Sequence, residues 1–255
     1  VIDLLPLIEP VFGSLWGALI VFLRVGATMA VLPGLGERVI SVRLRLVIGL
    51  MLTAAVAPAV LPQIDLPEPG PGAAVHALLT ESVAGLFLGL MLRLFVLALQ
   101  TAGAIAAQST SLSQIMGAQG LDPLPALGHI LTTAALALLM LSGFHVKAAA
   151  FLILSYELIP ALSFPSATAL AEAGRERVSQ SFALGFTLAA PFVILSVLYN
   201  LTLGVINKAM PQLMVAFVGA PVITFGSIAL LLVAAPVLLT VWLQAFDAFI
   251  TAPFR

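Results

Sequence analysis

Six long hydrophobic runs, at about 11–32, 44–61, 74–107, 127–161, 179–206 and 217–250, are divided by short polar segments. A helix needs roughly 20 apolar residues to cross the hydrocarbon core of a bilayer, so each run is a candidate membrane helix. The run at 127–161 is too long for one simple span. Gly143-Phe144-His145-Val146-Lys147 interrupts it, which predicts a tight helical hairpin and brings the count to six or seven helices. The run at 74–107 reads as one tilted helix or as a helix with a re-entrant extension. Between the second and third runs, residues 62–72 form a Pro/Gly linker in which no helix persists.

Composition agrees with that pattern. The 255 residues are 62% hydrophobic and 8% charged, with a mean hydropathy of +1.20. A soluble domain averages about 25% charged residues. A soluble chain this apolar has too few polar groups to cover its surface, so the expected class is an all-α, polytopic membrane-embedded protein. The net charge of −1 gives no sign of a nucleic-acid partner. With no cysteine, disulfides and thiolate metal sites are excluded. The apolar first 25 residues carry Asp3 and Glu9 without the positive start of a secretory signal. Among the connections, 33–45 holds Glu37, Arg38, Arg43 and Arg45, and 171–177 holds Glu172, Arg175, Glu176 and Arg177 in a solvated, helical entry. The positive-inside rule assigns 33–45, and less strongly 171–177, to the cytoplasm.

Charges inside the runs are the exception. Arg24 interrupts the first, Glu81 and Arg93 lie within the third, and Lys147 and Glu157 flank the second half of the fourth. Each costs about 2.5–3.5 kcal/mol at a bilayer centre on an insertion scale. They read either as snorkelling or paired charges, or as a helix face that looks onto protein or a water-filled path. Glu81, Gly85, Gly89 and Arg93 recur every fourth residue and form one slowly winding stripe. Gly85 and Gly89 make a GxxxG, as do Gly13 and Gly17, and such pairs allow close approach of two backbones in lipid. Pro58, Pro191, Pro221 and Pro236 favour kinks or breaks. Bent helices suit a wrapped or conical assembly, and they also suit transporters with broken helices.

Catalytic chemistry finds no footing in the sequence. His76, His129 and His145 sit in no HExxH pattern, and no P-loop or GxSxG occurs. No catalytic, cofactor or metal site is expected, and an intramembrane enzyme ranks last among the function classes. The segment 108–123, QSTSLSQIMGAQGLDP, is polar yet has no Lys or Arg. Residues 200–221, NLTLGVINKAMPQLMVAFVGAP, read as a helix ending near Asn207-Lys208, a break at Met210-Pro211-Gln212, and a second helix from about Val218 to Ile250.

That last stretch resembles the FliR family of type III secretion export-gate subunits. The family pattern is roughly Pro-Gln-Leu-Asn-Val-Phe, a small gap, then Gly, an apolar residue and Pro. Pro211, Gln212, Leu213, Val215, Gly219 and Pro221 match it, following Asn200, while Met214 stands for the Asn and Ala216 for the Phe. RVGATMAVLPGLGERVISVRLRLVIGL is similar to the family's first two helices with their basic loop. Glu81-Ser82 and Gly85 through Gly89 are similar to its third helix. In LSGFHVKAAAFLILSYELIP, His145, Ser155 and Pro160 match, with Tyr156 for Phe and Phe144 inserted after Gly143. The resemblance covers nearly the whole chain.

The resemblance implies a non-enzymatic subunit that joins FliP- and FliQ-type subunits, and an FlhB-type subunit, in a helical, conical hetero-oligomeric gate of the bacterial inner membrane and flagellar basal body. The assembled core is expected to lie largely above the membrane plane and to pass unfolded flagellar proteins. Residues 1–178 would be a FliP-like part and 179–255 a FliQ-like helical hairpin. The loop 108–123 would plug the closed channel. In that role the uncharged Gln108, Ser109, Ser111, Ser113, Gln114 and Gln119 satisfy one another without fixing ions. Gly117 and Gly120 permit close packing and movement, and Ile115 and Met116 seal. The alternatives are a virulence-type injectisome subunit, which shares the architecture, and a small-molecule transporter, motivated by Arg24, Glu81, Arg93 and the prolines.

Overall fold

The computed structural model describes residues 5–37, 39–109, 126–210 and 215–253. These residues form seven α-helices and one 3-10 turn, with no strand among them. The helices are α1 (Leu5–Val31), α2 (Val42–Val60), α3 (Pro71–Ser109), α4 (Ala126–Leu141), α5 (Phe144–Leu158), α6 (Ala167–Ala209) and α7 (Val215–Thr251). The third hydrophobic run is therefore one unbroken helix of 39 residues, without a re-entrant part among the described residues. The all-α, polytopic class read from hydropathy is what the structure shows.

Local chemistry sets the helix ends. The Ser41 hydroxyl accepts a hydrogen bond from the Leu44 amide at 3.3 Å and caps α2. Ser166 accepts from the Ala169 amide at 3.1 Å at the head of α6, so the charged stretch 171–177 continues helically into the fifth apolar run. Helix α2 gives way to a 3-10 turn at Leu61–Gln63, with Pro62 at its start, and the linker follows. The Trp16 indole donates to the Pro67 carbonyl at 3.0 Å and ties that linker to α1. Between α4 and α5, Gly143 takes φ 76°, a left-handed conformation that only glycine adopts at no steric cost. The two helices are bent by 78° at this break, so the expected tight hairpin is an elbow. Helices α2, α6 and α7 run on through Pro58, Pro191, Pro221 and Pro236.

The chain packs as two compact units. The first comprises Val1–Arg93, Leu139–Glu176 and Ala248–Arg255, and the second Leu94–Leu138 and Arg177–Asp247. In the first, α1 buries Ile20, Val21, Arg24, Val25, Thr28 and Met29 on one face, at helical spacing, and Leu32 just past its end is buried as well. Helix α2 packs on α1 and on α5, and α5 contributes Phe144, Ala148, Phe151 and Leu152 to the same core. The second unit centres on Trp242, which is fully buried and donates its indole N–H to the Phe95 carbonyl at 2.8 Å. Phe246 stacks on Trp242 and meets Phe95 edge-on. Gly103 of α3 and Gly128 of α4 touch backbone to backbone, leaving no space for a Cβ on Gly103 and only a tight 3.3 Å contact for one on Gly128.

Much of the apolar surface has no partner within the chain. Phe225, Leu232 and Val233 of α7 are 73%, 79% and 76% exposed. Contiguous apolar exposure on this scale marks a surface that meets lipid or another protein. Five helical segments among the described residues are long and apolar enough to cross a membrane: Gly13–Val31, Val42–Gln63, Pro71–Ser109, Ala167–Ala209 and Val222–Thr251. The bent pair α4–α5 makes a sixth if it counts as one broken span.

Candidate functional site

The charges that interrupt the apolar runs meet in the first unit. Arg24 of α1 and Glu81 of α3 are both wholly buried, and Arg24 Nε donates to Glu81 Oε2 at 2.7 Å. Removing two ions from water costs several kcal/mol each, and a buried pair is tolerable only when its remaining donors and acceptors are also satisfied. Here most of them are. Arg24 Nη1 donates to the Ser155 carbonyl at 3.1 Å, to Ser155 Oγ at 3.3 Å and to the Ile159 carbonyl at 2.9 Å. Glu81 Oε1 accepts from the Leu162 amide at 2.7 Å. The guanidinium also lies over the Tyr156 ring, 3.8 Å from its centroid.

These bonds have a common target, the end of α5. The last carbonyls of a helix have no partner within it, and its C-terminus carries partial negative charge. Arg24 supplies both hydrogen bonds and positive charge there, from a different helix. Glu81 then fixes the following turn, where Leu162 takes φ 58°, a left-handed conformation costly for a residue with a side chain. The arrangement is a fastening between α1, α3 and the 155–162 segment. It is closed to solvent, and both charged groups are engaged.

The glycine stripe explains how α3 comes close enough. A Cβ on Gly85 would collide with the Arg24 carbonyl and would lie 2.9 Å from Ala27 Cβ. One on Gly89 would collide with Val31 Cγ2 and lie 2.8 Å from the Thr28 carbonyl. Between them, the Thr28 hydroxyl lies 2.9 Å from the Arg24 carbonyl and 3.0 Å from the Gly85 carbonyl, bridging the two helices. Arg93, the last member of the stripe, pairs with Glu37 through its two terminal guanidinium nitrogens. Arg45 donates to the Glu37 carbonyl at 3.0 Å. The stripe thus faces α1 along its length and ends on the segment that follows α1.

The second GxxxG behaves differently. Gly13 faces open space, and Gly17 meets the side chains of Leu61 and Leu66, so this pair accommodates the linker and not a second helix backbone.

Other residues marked by the sequence are dispersed. Gln108 and Ser109 are the last residues of α3, and the Ser109 hydroxyl bonds back to the Ala106 carbonyl at 2.7 Å. Ser111, Ser113, Gln114, Ile115, Met116, Gly117, Gln119 and Gly120 lie outside the described residues, as do Pro211, Gln212 and Leu213. Asn200 of α6 donates to the Ser196 carbonyl one turn earlier at 2.9 Å. Gly219 and Pro221 belong to the first turns of α7. Sequence reasoning missed the backbone partners at Ile159 and Leu162, which carry no side-chain signal. It also missed the Gly103–Gly128 contact, whose two glycines sit in separate helices.

The sequence pattern of the bacterial export proteins, family 1, matches residues 15–249. This chain belongs to that family. The match includes α2 through α6, all but the start of α1 and all but the end of α7, with every residue of the buried network inside it. Among curated proteins, the chain is similar to the flagellar biosynthetic protein FliR of Caulobacter vibrioides, 32% identical over 237 residues that cover 90% of this chain and 92% of that protein. It is 30% identical to the protein of the same name from Escherichia coli K12 over 85% of this chain and 83% of the other. With that of Pectobacterium carotovorum the identity is 29% over 79% and 77%. The FliR resemblance seen in the motifs holds across the chain.

Proposed function

We propose that this chain is a non-enzymatic subunit of the flagellar type III export gate, assembled with FliP- and FliQ-type subunits in the bacterial inner membrane. The observation that carries this reading is the family match over residues 15–249 together with relatives that bear a flagellar biosynthetic name. Those names favour the flagellar branch over the injectisome branch. The uncovered apolar faces of α6 and α7 support a chain built to be surrounded by lipid and other subunits. The division into a FliP-like part, 1–178, and a FliQ-like hairpin, 179–255, has its boundary inside α6, so the two parts would share an unbroken helix. The FlhB-type subunit and unfolded export substrates are further partners on this reading.

Deletion of the gene tests the proposal. Export of rod and hook proteins and swimming should be lost, and both should return with this chain supplied in trans. Normal export in the deletion strain would overturn the reading. A small-molecule transporter is the rival. Against it stands the engagement of Arg24 and Glu81 with each other and with backbone, which leaves neither facing a ligand path.

The plug role of 108–123 makes its own prediction. Shortening 109–120 should raise leakage of ions through assembled gates while part of the export remains, measured as dye or proton flux in inverted vesicles. Leakage equal to that of the parent gate would sink the plug. Hydrophobic constrictions close pores by dewetting without any lid, which is why leakage and export must be scored separately.

A further inference from the structure

Within the second unit, α3 and α6 run parallel and in one register. The Ser181 hydroxyl of α6 donates to the Leu94 carbonyl of α3 at 2.7 Å. One turn on, a Cβ on Gly185 would lie 3.1 Å from the Ala98 carbonyl. Further along, the Ser196 hydroxyl donates to the Ser109 carbonyl at 2.5 Å. Each of these contacts joins residues 87 positions apart, so the two helices advance together without slipping. They end at different places, however. Helix α3 stops at Ser109, and α6 continues to Ala209.

The two serines of α6 therefore do unlike things. The Leu94 carbonyl lies in the interior of α3, where helical hydrogen bonding already supplies a donor. The Ser109 carbonyl is the last of α3, and the last four carbonyls of a helix have no partner within it. Ser196 supplies that missing donor from a position only 6% exposed. Asn200 orients it. Asn200 Nδ2 donates to Ser196 Oγ at 3.2 Å and to the Ser196 carbonyl at 2.9 Å. A hydroxyl has one proton to give. With its oxygen accepting from Asn200, Ser196 gives that proton to the end of α3. The Ser109 hydroxyl in turn donates to the Ala106 carbonyl at 2.7 Å. Two end carbonyls of α3 are thus satisfied by serine hydroxyls, one from α3 itself and one from α6.

We propose that Ser196, oriented by Asn200, is the positioning residue that fixes the point at which the chain leaves α3 for the loop 108–123. This role deepens the plug reading and rests on it, since a plug keeps its place only if its root does.

Amide hydrogen exchange and ion leakage, both measured on the assembled gate, provide the test. Ser196→Ala should speed exchange of the amides at 106–109 about fivefold, the equivalent of one hydrogen bond. It should also raise leakage in inverted vesicles. Asn200→Ala should move both readings in the same direction by a smaller factor. Ser181→Ala removes a bond between the same two helices but from the interior of α3, so it should change neither. Parent exchange in Ser196→Ala, or an equal rise in Ser181→Ala, would overturn the anchor. Faster exchange without leakage would overturn the positioning role, and the plug reading would survive it if shortening 109–120 still raises leakage. If the shortened loop does not leak either, the plug reading falls and the positioning role falls with it. Should Ser196→Ala fail to assemble, Asn200→Ala, at an exposed residue, carries the same two readings.

Discussion

Arg24→Met should destabilise the chain by about 3–5 kcal/mol, the cost of leaving a buried charge without its partner. Glu81 would remain wholly buried with only the Leu162 amide to satisfy it. The carbonyls of Ser155 and Ile159 would lose their donor from α1 at the same time. Arg24→Lys should recover little, because an ammonium is a compact point charge and cannot reach Glu81 and the α5 terminus together as the guanidinium fork does. Arg24→Met with Glu81→Leu discriminates the sources of the loss. Replacing both ions by apolar side chains relieves the uncompensated charge, so the double variant should be more stable than Arg24→Met alone. It should still fall short of the parent, since the Leu162 amide loses its acceptor and the Ile159 carbonyl its donor from α1, while the Ser155 carbonyl keeps only the Ile159 amide. Thermal unfolding of the full chain in detergent, with the cellular level of each variant alongside, measures this order. A double variant no more stable than Arg24→Met would show that the fastening of α5, and not charge pairing, dominates.

Gly85→Leu should have an effect of comparable size through sterics alone. Its Cβ would collide with the Arg24 carbonyl, a backbone atom that cannot swing aside as a side chain can. Helix α3 must then separate from α1, which breaks the Thr28 bridge and lengthens the Arg24–Glu81 contact. Overpacking a tight site costs typically 1–3 kcal/mol, and the loss of the charge contact adds to it. Gly89→Leu should behave likewise, with some relief because the nearest atom there is Val31 Cγ2 of a side chain. Gly13→Leu, on a glycine that faces open space, serves as the control. The readouts are thermal stability and recovery of the chain in complexes with its partner subunits. Gly85→Leu complexes of parent stability and yield would disprove the close approach of α1 and α3.

Hydropathy made the helices legible because burial in lipid or protein demands long apolar stretches whatever their partners. The third run illustrates both the reach and the limit of that signal. Its length left two readings open, and the structure shows one helix from Pro71 to Ser109. The fourth run illustrates a turn misjudged in angle: the Gly143 break is where the sequence puts it, but a glycine at φ 76° permits an elbow as readily as a hairpin. The two GxxxG pairs separate on tertiary grounds. Identical spacing serves a helix–helix contact at Gly85 and Gly89 and a linker at Gly17.

The sequence by itself determined the class, the helical runs, the family and the position of each anomalous charge, because these depend on residue type and spacing along one chain. Only the tertiary structure decided that Arg24 and Glu81 are partners across 57 positions and that both hold the end of α5. The physical reason is that Arg24 serves backbone carbonyls as much as a carboxylate. Backbone groups are the same at every residue, so no pattern of side chains announces which of them a buried charge will satisfy.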